Sequence, residues 1–112
     1  MRRRASPPSF GDAAPVFAAL GDPQRLTLVA RLCREGPLSI AKLSEGAEIT
    51  RQAVTKHLYV LAEAGVIRGT REGRENVFEI EPRRLREARG HLDRISAQWD
   101  AALVRLRALV EG

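Results

Sequence analysis

Cysteine and aromatic residues are nearly missing from this 112-residue chain, and each shortage excludes something. A single cysteine, Cys33, rules out an intrachain disulfide and fits a reducing cytoplasm. Three Phe, one Tyr and one Trp are too few for a platform that stacks single-stranded bases. No apolar run approaches the ~20 residues of a membrane helix. The N-terminal arginines are not followed by the apolar segment of a secretory signal. Enzyme patterns are missing too. There is no phosphate-cradling glycine loop, no nucleophile elbow and no paired acid and base. Carboxylates are scattered on helix surfaces beside arginines, the pattern of solvated ion pairing.

Acidic residues are also outnumbered, 14 against 19 Lys and Arg, so the formal charge is +5. A small basic chain suits a polyanionic partner: DNA, RNA or an anionic membrane surface. Part of the excess lies in residues 1–12, MRRRASPPSFGD, whose Pro, Gly, Ser and Arg predict a flexible basic arm ahead of a single domain over 13–112.

Helical patterning starts at Ala13 and runs to Leu20. Asp22-Pro23 then opens a second helix, with Asp as the cap and Pro at the first helical position. Leu26, Val29, Leu32 and Cys33 form its expected apolar face, which makes Cys33 an inert core thiol, and Gly36-Pro37 stops it. Ser39 caps a short third helix, IAKLSEGA. After a tight turn Thr50 caps a fourth, which ends at Gly65. A short helix, a tight turn and a longer helix make the helix-turn-helix pattern. VIRGTR and RENVFEI around Glu72-Gly73 read as a β-hairpin. Pro82 begins a last helix to about Val110. The predicted class is therefore mainly α with a small β-hairpin, a winged helix-turn-helix.

On the fourth helix Val54, Leu58 and Leu61 share a core face. Arg51, Gln52, Thr55, Lys56 and Tyr59 point away from it. Arg and Lys suit guanine or phosphate, Gln suits adenine, and Thr suits several edges or a thymine methyl. These side chains occupy the first half of the second helix of the pair, the part that enters a major groove. Ser39, Thr50 and Tyr59 are candidate phosphate contacts. Arg71 and Arg74, beside the hairpin turn, would reach flanking phosphates or the minor groove. His57 lies between the two faces and reads as structural. The expected partner is double-stranded DNA.

The last helix carries Leu85, Ala88, Leu92, Ile95, Trp99, Ala102, Leu106 and Leu109 in steps of three and four. That heptad seam needs a covering surface, and a second copy of the chain is the expected one. The other class of reading is a winged-helix interaction module that pairs this seam with a different chain, without specific DNA binding.

Three stretches resemble the ArsR-type (arsenic-repressor-like) winged-helix transcriptional regulators: ALGDPQRLTLVARL, GPLSIAKLSE, and ITRQAVTKHLYVLAEAGVIRGTREGRENVFEI. The resemblance spans nearly the whole chain from Ala13. It implies a homodimer built on the first and last helices, with Phe17, Leu92, Ile95, Trp99, Leu103 and Leu106 at the interface. It also implies a repressor on an inverted-repeat operator that is released by a small-molecule or protein inducer. Metal-sensing members carry a Cys-x-Cys pair where this chain has Leu38-Ser39-Ile40-Ala41-Lys42, or an Asp/His set whose second His is missing after His91 and Asp93. Zinc and softer metals want three or four Cys, His and carboxylate ligands, so no metal and no other cofactor is expected. A site shared between the His91 and Asp93 pairs of two subunits is the remaining metal option. With Cys33 alone, a disulfide sensor within one subunit is also excluded.

Overall fold

The computed structural model describes residues 13–112. The arm expected over residues 1–12 lies outside them. Five helices and three short strands follow in the order α1 (Ala13–Leu20), α2 (Pro23–Glu35), β1 (Leu38–Ser39), α3 (Ile40–Ser44), α4 (Arg51–Glu63), β2 (Ile67–Glu72), β3 (Glu75–Ile80) and α5 (Pro82–Glu111).

The caps act as the sequence indicates. The Asp22 carboxylate accepts from the backbone N–H groups of Gln24 and Arg25 at 2.8 and 3.1 Å, with Pro23 next in line. The Ser39 and Thr50 hydroxyls accept from the N–H groups of Lys42 and Ala53. Each satisfies a donor that the first helical turn leaves open. Gly73 takes φ +64° at the hairpin turn, while no other residue type in the described chain has positive φ. Positive φ at the first central position alone is the pattern of a type II′ turn, which matches strand twist.

The core gathers Val16 and Ala19 of α1, Leu28, Val29 and Leu32 of α2, Leu43 of α3, Val54, Leu58 and Leu61 of α4, and Val66, Ile67 and Phe78 near the sheet. Arg31 of α2 reaches the carbonyls of Leu43 and Glu45, which fastens the helix-turn-helix turn to the body.

Three expectations need correction. Leu26 and Cys33 are exposed, so Cys33 is not a core thiol. The buried face of α2 is Leu28, Val29 and Leu32. Measured from Val29 at ~100° per residue, Leu28 and Leu32 fall on one side while Leu26 and Cys33 fall on the other. The third helix ends at Ser44, short of Ala47. The sheet also has a third strand, β1, in the order β1-β3-β2, all antiparallel, with Leu38 opposite Phe78 and Ser39 opposite Val77.

Only Ala88 is fully buried along the 30-residue α5. Leu85 packs beside it against the core. Beyond them Leu92, Ile95, Trp99, Leu103 and Leu106 are exposed within the subunit. Phe17 on α1 is half-buried against the core.

Candidate nucleic-acid interface

The candidate interface is built on the core face of α4. Val54, Leu58 and Leu61 are completely buried and fix the rotation of the helix. With that face seated, Arg51, Gln52, Lys56 and Tyr59 are exposed and Thr55 is half-exposed. The Thr55 hydroxyl donates to the Arg51 carbonyl at 2.9 Å and keeps its acceptor capacity. Arg51, Gln52 and Lys56 form no hydrogen bond or ion pair with other side chains of the described residues. They are long donors held on two turns of helix and left open. Thr50 sits at the head of this row. Ser39 caps α3 and is half-buried, because it also belongs to β1.

The hairpin stands beside α4. Arg71 and Arg74 are exposed next to the Gly73 turn, and the Arg71 Nε donates to the Gly73 carbonyl at 3.4 Å. Neither forms an ion pair with Glu72 or Glu75. Ion pairs cross the base of the hairpin. Arg68 bridges Glu79 at 2.9 Å and Glu81 at 2.7 Å, and the hydrogen bond it donates to the Glu79 carboxylate raises the pKa of the guanidinium above its usual range. Gly69 pairs with Phe78 across the strands, and a Cβ at position 69 would lie 2.8 Å from the ring carbon Cε1 of Phe78. The bare backbone there lets the ring lie flat across the sheet.

Between α4 and the hairpin lies a cleft of about 320 Å³ lined by Tyr59, Ala62, Gly69, Thr70, Arg71, Asn76 and Phe78. Asn76 stands opposite Arg71 in the register. Neither Asn76 nor Thr70 was singled out from the sequence. Strand alternation places Asn76 on the Arg71 face only once the two turn residues are known.

His57 faces inward. Its Nδ1 lies 3.4 Å from Arg25 Nη1, as its place between the two faces of α4 suggested. His91 Nδ1 lies 3.0 Å from Arg94 Nη2 on α5. Among the described residues no group of three or more His, Cys, Asp and Glu is arranged to hold a metal ion.

Residues 20–70 match the family described as a helix-turn-helix domain. An HTH-type transcriptional regulator of Mycobacterium tuberculosis is 33% identical over 95 residues, covering 85% of each chain. The solved structure of an ArsR-like transcriptional regulator from Rhodococcus sp. RHA1 superposes with a TM-score of 0.76 at 31% identity, covering 89% of this chain and 93% of that one. The chain belongs to the ArsR-type family of winged helix-turn-helix transcriptional regulators. It is a DNA-binding transcriptional regulator. A homodimeric winged helix-turn-helix DNA-binding domain from Mycobacterium bovis shares the fold at a TM-score of 0.63 and 18% identity, covering 86% of this chain and 91% of that one. In this ArsR-type regulator, α3 and α4 form the helix-turn-helix and β2–β3 the wing. No helix among the described residues is long and apolar enough to cross a membrane.

Proposed function

We propose that this regulator is a homodimeric repressor that binds an inverted-repeat operator with one α4 from each subunit in a major groove. The observation that carries this reading is the row of unpaired donors on the first two turns of α4, Arg51, Gln52 and Lys56, above a completely buried core face. In this reading Arg51, Gln52, Thr55 and Lys56 read or position base edges. Ser39, Thr50 and Tyr59 contact phosphates, and Arg71 and Arg74 act from the wing.

The dimer would form through α1 and α5, with Phe17, Leu92, Ile95, Trp99, Leu103 and Leu106 at the two-fold axis. Support comes from the uncovered seam of α5 and from the homodimeric relative of the same fold. Residues 13–112 would act as one DNA-binding domain in the cytoplasm, with α5 as its dimerisation helix. We assign no metal, because the sequence lacks both the Cys-x-Cys pair and the second His. Release from DNA would then follow an unidentified small-molecule or protein inducer.

Selection from a random pool of duplex DNA tests the reading. The expected product is a two-fold symmetric sequence whose half-sites are centred about 10 bp apart. Enrichment of an asymmetric sequence would sink the dimeric geometry, and no enrichment at all would favour a protein-interaction role for the α5 seam.

A further inference from the structure

Arg25 stands at a junction that the DNA-reading surface does not include. It is half-buried in the first turn of α2. Its Nε donates to the carbonyl of Ala19, in the last turn of α1, at 2.6 Å. Its Nη1 lies 3.4 Å from Nδ1 of His57, in the middle of α4. Its own backbone N–H is held by the Asp22 carboxylate at 3.1 Å. One planar guanidinium carried on α2 thus touches two other helices, α1 and α4.

The chemistry of this contact is one-directional. Arginine only donates, so His57 Nδ1 is the acceptor and a neutral imidazole carries its proton on Nε2. A second proton on the ring would occupy Nδ1, remove the acceptor and set a cation against the guanidinium. The charged groups facing the ring from its neighbours are Arg25 and Asp22, both from the start of α2, while α1, which Arg25 holds through the Ala19 carbonyl, carries no charged residue. Asp22 partly offsets the repulsion, but it is already engaged by the N–H groups of Gln24 and Arg25. His57 follows Lys56 and precedes the buried Leu58, so its seat helps to set the rotation of the face that carries Gln52 and Lys56.

We infer that Arg25 is a positioning residue for operator recognition, tying the end of α1 to the recognition helix through His57, and that protonation of His57 releases that tie and lowers selectivity for the operator. The inference rests on the DNA-reading role proposed for α4. It couples the helix expected at the dimer interface to the helix that reads sequence. Its sign sets it apart from simple charge effects. An added positive charge strengthens binding to any DNA. Loss of alignment instead weakens binding to the right sequence relative to the wrong one.

The test is fluorescence anisotropy of the full chain on its selected operator and on a scrambled duplex, at pH 6 and pH 8 and constant ionic strength. The wild type is expected to lose about fivefold or more of its operator-to-scrambled affinity ratio at the lower pH, the low end of typical coupling between sites. His57→Gln keeps an acceptor that does not titrate, so its ratio should stay high and flat with pH. Arg25→Gln should give a low ratio at both pH values, and Arg25→Lys should fail to restore it, because an ammonium lacks the fork that spans two acceptors. Circular dichroism and melting curves confirm that each variant folds, and His57→Gln carries the test if Arg25→Gln does not. A wild-type ratio that is flat with pH, or a His57→Gln ratio that still falls, overturns the inference. Failure to select any operator would instead strike the DNA-reading role itself.

Discussion

Trp99 is the residue whose removal should most cleanly separate assembly from folding. Within the subunit it is 65% exposed, midway along the α5 seam and beyond the part of the helix that packs on the core. A tryptophan buries roughly 150–250 Å² when covered, so about 130 Å² is left for a partner. At about 25 cal/mol per Å² that is ~3 kcal/mol per copy as a ceiling. A central interface tryptophan commonly costs about 2 kcal/mol or more when truncated to alanine. A two-fold interface loses two copies at once. Trp99→Ala should therefore weaken the dimer by about 4 kcal/mol, or close to a thousandfold in Kd. The subunit itself should keep its helical spectrum, because no core neighbour is removed. Sedimentation velocity over a dilution series reads the Kd directly. Val104→Ala is the control: it is also exposed, but lies about 140° around the helix from Trp99, off the seam. Equal effects of the two substitutions, or a Trp99→Ala protein that stays dimeric at the same dilution as wild type, would refute the placement of the interface.

Four further outcomes are expected. Gln52→Ala should weaken operator binding while leaving nonspecific binding nearly intact, as read by anisotropy on both DNAs; equal losses would remove Gln52 from the base-reading set. Arg74→Ala should weaken binding to all DNA and reduce the slope of log affinity against log salt by about one; an unchanged slope would mean that Arg74 touches no phosphate. Gly69→Ala should lower stability by about 1–3 kcal/mol, because the new methyl meets the buried Phe78 ring, and urea denaturation would show it as a shifted midpoint. The backbone hydrogen bond from Arg25 holds the Asp22 carboxyl below its ordinary pKa of 3.8. Its contribution to stability is thus full above that value and fades as pH falls through the lowered one. Asp22→Asn should lie furthest below wild type near neutrality and converge with it in strong acid; parallel acid-denaturation curves would refute that assignment.

Helix starts were plainly written in the chain. Asp22-Pro23, Ser39 and Thr50 each act through a local hydrogen bond that needs nothing beyond the next three residues, and the structure has caps at all three. The core face of α4 was equally legible, since Val54, Leu58 and Leu61 repeat at helical spacing over an unbroken element. The strand β1 was not. Two residues have no readable alternation, and Leu38 and Ser39 become a strand only because β3 arrives beside them from some forty residues further on. The tilt of α2 also escaped the pattern. Leu26, Val29, Leu32 and Cys33 have helical spacing, but so do Leu28 and Leu32. The choice between the two faces is made by what α1, α4 and β3 leave to be covered.

At the candidate site the long polar side chains of α4 could be listed from spacing alone. The open cleft behind them could not, because Asn76 meets Arg71 only across the hairpin. The Arg25–His57 contact joins residues 32 positions apart, and no periodicity signals it. The α5 seam is the converse case. Its heptad spacing announced a surface needing cover, and the subunit leaves Leu92, Ile95, Trp99, Leu103 and Leu106 exposed.

The most direct test of the central claim is fluorescence anisotropy on DNA taken from upstream of the regulator's own gene, against scrambled DNA of the same length, over a salt series. Tight binding to the first DNA is expected, with weak binding to the second and an affinity that falls steeply as salt rises. Equal and weak binding to both, at every salt concentration, would contradict the claim at that site, and equal binding to the symmetric sequence enriched from the random pool would contradict it outright.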